Sequence, residues 1–197
     1  MELAIFPLNG AVLFPGTSLP LNIFEKRYIE MVNYSLARDR YIGMIQTDTN
    51  NKLYKIGCVG KIHSFSETND GRYLISLQGT NCFKVIKELE PNYSFRIIEA
   101  DLISTNDEIY ELNDKQKNKL LKKYKEYIKI KNINLNLEEI EGIEIEQIIK
   151  FIGMVSPFKN EDKQVLLETK NLIDFYAKLM SILELEILGD FTNNTIN

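Results

Sequence analysis

Residues 6–28 read FPLNGAVLFPGTSLPLNIFEKRY, an apolar string broken by Pro7, Pro15 and Pro20 and by Gly10 and Gly16. A proline fixes φ and donates no hydrogen bond, so each one ends or bends a strand or sits at an edge. Glycine opens turn geometries closed to other residues. A chain that alternates corners with apolar triplets in this way can only make very short strands that turn sharply onto one core. Leu3–Phe6, Val12–Phe14 and Leu19–Ile23 are those stretches.

The rest of the first half extends the pattern. From Glu25 to Ala37 the period becomes helical, with Ile29, Val32 and Leu36 as the expected apolar stripe. Glu25 falls at the start and Arg38 just past the end, the order that the helix dipole favours. Glu25 and Arg27 are expected to tie this helix to the barrel by a salt bridge. Tyr41–Gln46 reads as a buried strand. Tyr54–Phe65 alternates and carries Gly57 and Gly60, which predict a bulge or a bend. Asn69-Asp70-Gly71 is a hairpin turn signal. Arg72–Gln78, Cys82–Ile86 and Ser94–Leu102 complete the set, with Pro91 marking a connection. So many short strands with regular turns predict a small closed or nearly closed barrel.

Around Ser104–Asp107 the pattern changes. From Asp114 it is helical, with Leu120, Tyr124, Tyr127 and Ile128 as one stripe. Further helices are predicted over Glu144–Val155, with Ile145, Ile148, Ile149 and Ile152 inward, over Glu161–Glu168 with Asn160 as cap, and over Asn171–Leu188 with Gly189 as C-cap. The tail 190–197 is expected to fray. The fold class is therefore α+β: a small β-barrel with one helix over 1–104, then a helical bundle over 105–197.

Two sequence strings resemble a known family. The opening is similar to the pattern F-P-L-x-x-x-V-L-F-P-G-x-x-L-P-L-x-I-F-E-x-R-Y of the Lon N-terminal domain, the substrate-binding module of Lon proteases and of stand-alone Lon-like proteins, with nearly every fixed position filled. The family's S-P-x-x-K-Q-x-L-L-E string is matched by Ser156-Pro157 and, after a longer spacer, Lys163-Gln164-Val165-Leu166-Leu167-Glu168. The likeness is weakest over 104–143. It implies a PUA-like barrel, polypeptide as ligand, and a Lon-type protease as a possible partner.

Composition narrows the chemistry. Two cysteines, Cys58 and Cys82, and one histidine, His63, do not make a zinc set, and the cysteines are read as reduced core thiols. Residues 1–100 are nearly neutral, with 11 basic against 10 acidic residues, and the remainder carries 13 against 18. A protein built to grip phosphate backbones is usually basic, so nucleic acid is disfavoured as partner. Eight lysines between Lys115 and Lys131 keep RNA recognition by a PUA-like module as the alternative, although lysines around an apolar stripe normally mark a solvated face.

There is no Gly-x-x-x-x-Gly-Lys-Ser/Thr string to cradle phosphates. His63 beside Ser64 reads as a half-exposed strand residue, and Glu138, Glu139, Glu141, Glu144 and Glu146 as a solvated face near a helix start. The expectation is a recognition module with no catalytic residue, no cofactor and no metal. No apolar run approaches the ~20 residues of a membrane span and no signal-peptide pattern is present, so a soluble, cytoplasmic protein is expected. Phe24, Tyr28, Tyr41 and Phe65 are the candidate substrate-binding aromatics, and a cleft between barrel and helical half is the expected place for them.

Overall fold

The structure is a computed structural model that describes residues 1–90, 92–104, 112–135 and 142–194, the last five as backbone only. Pro91, most of the transition around Ser104–Asp107, the carboxylates Glu138, Glu139 and Glu141, and residues 195–197 of the tail lie outside the described residues.

The elements are β1 (Glu2–Pro7), β2 (Ser18–Ile23), α1 (Lys26–Leu36), β3 (Tyr41–Ile45), β4 (Ile56–Glu67), β5 (Tyr73–Glu88), β6 (Arg96–Leu102), α2 (Asp114–Ile130), α3 (Ile145–Val155), α4 (Asn160–Leu167) and α5 (Leu172–Asn194). They fall into two compact units. Met1–Thr105 joins with Ser156–Glu168, and Asn106–Val155 joins with Thr169–Asn197. The short helix α4 thus belongs with the strands, although it comes from the helical half of the chain.

In the first unit the strands follow the order β2-β5-β4-β3-β1-β6, and β5 also pairs with β6. That pairing closes β5-β4-β3-β1-β6 into a barrel, as the turn spacing predicts, and leaves β2 on the outer part of β5. Only β1 and β3 run parallel; the other pairs are antiparallel. Leu3, Ile5, Ile45, Val59, Phe83, Ile98 and Ala100 fill the interior.

The two predicted strands around Arg72–Gln78 and Cys82–Ile86 are one strand of 16 residues. Gly79-Thr80-Asn81 looks like a turn but is absorbed as a bulge: Val59 alone stands opposite Thr80 and Asn81 between the pairs Cys58↔Cys82 and Gly60↔Gly79. The bulge bends β5 so that it can pair with β2 at one end and β6 at the other.

Val12–Phe14 is buried but is no strand. It is a corner held by its own polar groups. Thr17 Oγ1 donates to the Phe14 carbonyl at 2.8 Å and accepts from the Phe14 N–H at 3.2 Å. Gly16 N–H donates to Gly79 O at 3.0 Å, and Gly79 N–H to Thr17 O at 2.8 Å. Gly10 and Gly16 both take φ of +82°, the conformation for which the opening string selects glycine.

Helix α1 buries Tyr28, Met31, Val32 and Ser35 rather than the expected Ile29–Val32–Leu36 stripe. The Tyr28 ring lies 4.3 Å from the Phe6 ring, a contact across 22 residues that sets the rotation of the helix. Glu25 is the N-cap residue but makes no side-chain cap bond. It pairs with Arg27 at 2.8 Å, so the two bind each other instead of tying the helix to the barrel.

The β4–β5 turn forms where Asn69-Asp70-Gly71 places it. Thr68 N–H bonds Arg72 O at 2.9 Å, and Arg72 Nε reaches Asp70 Oδ2 at 2.8 Å. The bonds from Arg72 and Thr68 hold the Asp70 carboxyl at about 2, against an ordinary 3.8. A depressed acid pKa stabilises the folded turn above the unfolded value, and this is lost as pH falls through the folded one. The Arg72 amide resonance should therefore titrate with a midpoint about 2 in an NMR pH series. Asp70→Asn should abolish that titration and leave the thermal midpoint at neutral pH nearly unchanged; a midpoint near 4 in the parent protein would refute the pairing.

In the second unit α2 buries Leu120, Tyr124, Tyr127 and Ile128, and α3 buries Ile145, Ile148, Ile149 and Ile152, as the periodicity predicts. Asn113 caps α2 through a reciprocal box with Gln116. Two predicted caps are corrected. Helix α4 is capped by Lys159 without a side-chain bond, and Asn160 is its first helical residue. Helix α5 runs through Gly189 to Asn194, because a glycine with open space around its α-carbon only weakens a helix. Asn171 Oδ1 starts α5 by accepting from the Asp174 N–H at 2.8 Å.

Candidate recognition site on the barrel

The helix α4 is fastened to the barrel by the Lys163-Gln164 pair of the second sequence string. Lys163, 4% exposed, donates from Nζ to the Gly10 carbonyl at 2.8 Å, and burial pushes its pKa down. Gln164, 3% exposed, accepts from Gln46 Nε2 at 3.1 Å and donates to Ile56 O at 3.1 Å. Gln46 Nε2 also bonds Asn160 O at 3.0 Å. These contacts engage the Lys163 ammonium and both Gln164 amide groups internally, leaving only Gln46 Oε1 of the cluster without a partner, so the cluster is a clamp.

A concavity of about 320 Å³ opens elsewhere on the first unit, at the lower end of the range for ligand pockets. The end of β1 and its loop supply Pro7 and Asn9. The N-terminus of α1 supplies Arg27 and Tyr28. The β3–β4 loop gives Thr47 and Asn51, and the start of β6 gives Ser94, Phe95 and Arg96. Asn9 locks two of these loops together: its Oδ1 accepts from the Thr47 N–H at 2.8 Å and its Nδ2 donates to Thr47 Oγ1 at 3.0 Å.

Charge in the concavity is fixed by pairing. Arg96 holds Glu88 with two bonds of 2.6 and 2.7 Å, which draws the Glu88 carboxyl below its usual range and the Arg96 guanidinium above its own. The Arg27 guanidinium lies 4.5 Å from the Tyr28 ring centroid. Burial, offset in part by Arg27, raises the Tyr28 pKa, so the phenol stays protonated as a donor. Ser94 Oγ bonds Glu30 of α1.

Phe95 and Arg96 also line a second concavity of about 270 Å³ with Glu88, Leu89, Asn92 and Tyr93. Behind this ridge Tyr34, Tyr93 and Phe95 form a ring cluster with centroids 5.0 to 5.3 Å apart, and Arg38 covers Tyr34 at 3.6 Å. The rim therefore offers guanidinium, amide and phenol donors around aromatic faces. Its Ser94 hydroxyl is engaged by the Glu30 carboxylate, and no group of three potential metal ligands occurs among the described residues.

Of the four aromatics singled out in the sequence, the concavity takes in Tyr28. Phe24 is 67% exposed between β2 and α1, and Phe65 is 42% exposed on β4, edge-on to Tyr73 at 4.9 Å. Tyr41, at the start of β3, packs half-buried against the barrel core with Lys61 5.7 Å from its ring. Arg96 and Phe95 escape a reading of the sequence because nothing local marks Ser94-Phe95-Arg96 as more than a strand start.

Residues 2–184 match the family described as ATP-dependent protease La (LON) substrate-binding domain. The chain belongs to this family. Among curated proteins it is 29% identical over 201 residues to the Lon protease of Buchnera aphidicola subsp. Acyrthosiphon pisum, covering 95% of this chain and 25% of that protein. It is 26% identical over 199 residues to the Lon protease of Cytophaga hutchinsonii, covering 94% and 24%. The chain thus spans about a quarter of the length of these relatives.

Two solved structures share the Lon N-terminal fold. The Lon N-terminal domain protein from Xanthomonas campestris aligns with a TM-score of 0.65 at 19% identity, covering 93% of this chain and 98% of that one. The N-terminal domain of the Mycobacterium avium complex Lon protease gives 0.62 at 13% identity, with the same coverage. The α+β class expected from the sequence is the one observed. No helix among the described residues is long and apolar enough to cross a membrane.

Proposed function

We propose that this Lon substrate-binding domain recognises polypeptide segments, without chemistry of its own, and hands them to ATPase and peptidase activity supplied elsewhere, with a Lon-type protease as the partner. The carrying observation is the family match over residues 2–184, joined to a concavity whose donors and aromatic faces suit a peptide backbone and its side chains. The 197 residues hold no P-loop string to power translocation. Binding is placed at the ridge of Phe95 and Arg96, since concave sites with a few converging polar groups are where ligands collect.

The test is titration of a labelled, reduced and unfolded model protein against the purified chain. Arg27 and Asn51 stand on the rim of the concavity. Arg27→Glu should weaken binding about tenfold, the loss expected of an arginine anchor, with the thermal midpoint nearly unchanged. Unaltered affinity would remove the site, and absence of binding by the parent chain would remove the function.

The alternative reading, an RNA-binding module, has one observation in its favour. Lys115, Lys119, Lys122, Lys125 and Lys129 are all exposed along α2, whereas Lys117, Lys123 and Lys131 are engaged within the second unit. The same titration with single-stranded RNA at low salt decides it: salt-steep binding exceeding that of polypeptide would favour RNA.

A further inference from the structure

Cys58 and Cys82, expected from the sequence as reduced core thiols, stand directly opposite each other on β4 and β5. Neither is in a disulfide. Two backbone bonds fix the kind of pair they form. Val85 N–H donates to Lys55 O at 2.8 Å, so the odd-numbered residues of β5 around it point their backbone groups at β4. Ile103 N–H donates to Cys82 O at 2.8 Å, so Cys82 points its own toward the β6 side.

Cys58 and Cys82 are therefore a non-hydrogen-bonded pair, the closer of the two antiparallel types, with α-carbons about 4.5 Å apart and side chains on one face. A disulfide needs α-carbons about 4.4–6.8 Å apart. Residues flanking the pair, Val59 and Phe83, belong to the barrel interior, so by strand alternation both thiols stand on the outer surface of the barrel. Cys82 Sγ lies 3.8 Å from the Leu167 carbonyl at the end of α4, and Cys58 Sγ 3.6 Å from Val59 O. Cys58 is fully buried, whereas Cys82 is partly accessible.

We propose that Cys58 and Cys82 are a reversible redox site that closes to a cross-strand disulfide on reaction with a low-molecular-weight disulfide. The accessible Cys82 thiolate attacks one sulfur of the reagent RSSR, forming Cys82–S–SR and expelling RS⁻. Cys58, across the ladder, then attacks the Cys82 sulfur and expels the second RS⁻. The two thiol protons leave with these anions as two RSH, so the cysteines are oxidised and the reagent reduced. A side-chain rotation that turns Cys82 Sγ from Leu167 toward β4 suffices, with no strand movement.

The full chain, kept folded, is incubated with oxidised glutathione, alkylated and analysed by intact mass and peptide mapping. The expected product is a monomer lighter by two hydrogens, with a Cys58–Cys82 linked peptide, returned to the parent mass by a dithiol. Cys58→Ser should stop at a glutathione adduct on Cys82, and Cys82→Ser should resist modification. A parent chain that accumulates only the glutathione adduct, or that links the two cysteines only in denaturant, would overturn the proposal.

Discussion

Gly79→Ala should lower the unfolding free energy by about 3 kcal/mol, at the upper end for overpacking a tight site, with a correspondingly earlier urea midpoint. A β-carbon at position 79 would fall 2.2 Å from the Phe14 carbonyl oxygen and 3.0 Å from its carbon. Those are backbone atoms, and Phe14 cannot retreat. Its N–H and carbonyl are both held by Thr17, and Gly16 and Thr17 exchange backbone bonds with Gly79 itself. The side chain of Phe14, 2% exposed, is locked in the core as well. Accommodation would have to undo the corner built by Phe14-Pro15-Gly16. A variant within 1 kcal/mol of the parent would show that this corner is not rigidly docked on β5.

The second large effect is expected at Gln164. Gln164→Leu strips the Ile56 carbonyl of its donor and leaves one Gln46 amide hydrogen without its Gln164 acceptor, in a place almost closed to water. Each buried polar group left unpaired costs about 1–3 kcal/mol, so a loss of about 2–3 kcal/mol is expected in equilibrium unfolding. A double-mutant cycle gives the decisive measurement. Gln46→Leu with Gln164→Leu should cost less than the two single changes added, because removing both partners leaves fewer orphans. Strict additivity would mean that the two amides do not act as one clamp. Hydrogen exchange at α4 offers a parallel readout, since that helix is seated through Gln46, Ile56 and Gly10.

Both effects reach back to the two strings that carried the family resemblance. The opening string supplies the corner that closes on Gly79 and the Gly10 carbonyl that receives Lys163. The later string supplies Lys163 and Gln164. Phe14-Pro15-Gly16 and Lys163-Gln164 of these strings are thus fastenings of the fold, and the candidate binding surface joins Asn9, Arg27 and Tyr28 from the opening string itself to Asn51, Phe95 and Arg96 from elsewhere in the unit.

What nearest neighbours in the chain can settle is legible in the residues alone. Proline and glycine placed the corners at 10 and 16, Asn69-Asp70-Gly71 placed the hairpin, and a 3.6-residue period identified the buried stripes of α2 and α3. Such features follow from φ restrictions and side-chain spacing within a few residues. The rotation of α1 on Phe6, the continuity of β5 through its bulge, the pairing of Cys58 with Cys82, and the seating of α4 on the barrel arise from contacts between distant elements. Gln46 and Gln164 stand 118 residues apart. Contacts of that range depend on how the strands close and on which polar groups burial leaves in need of a partner, and no local period or turn signal records either.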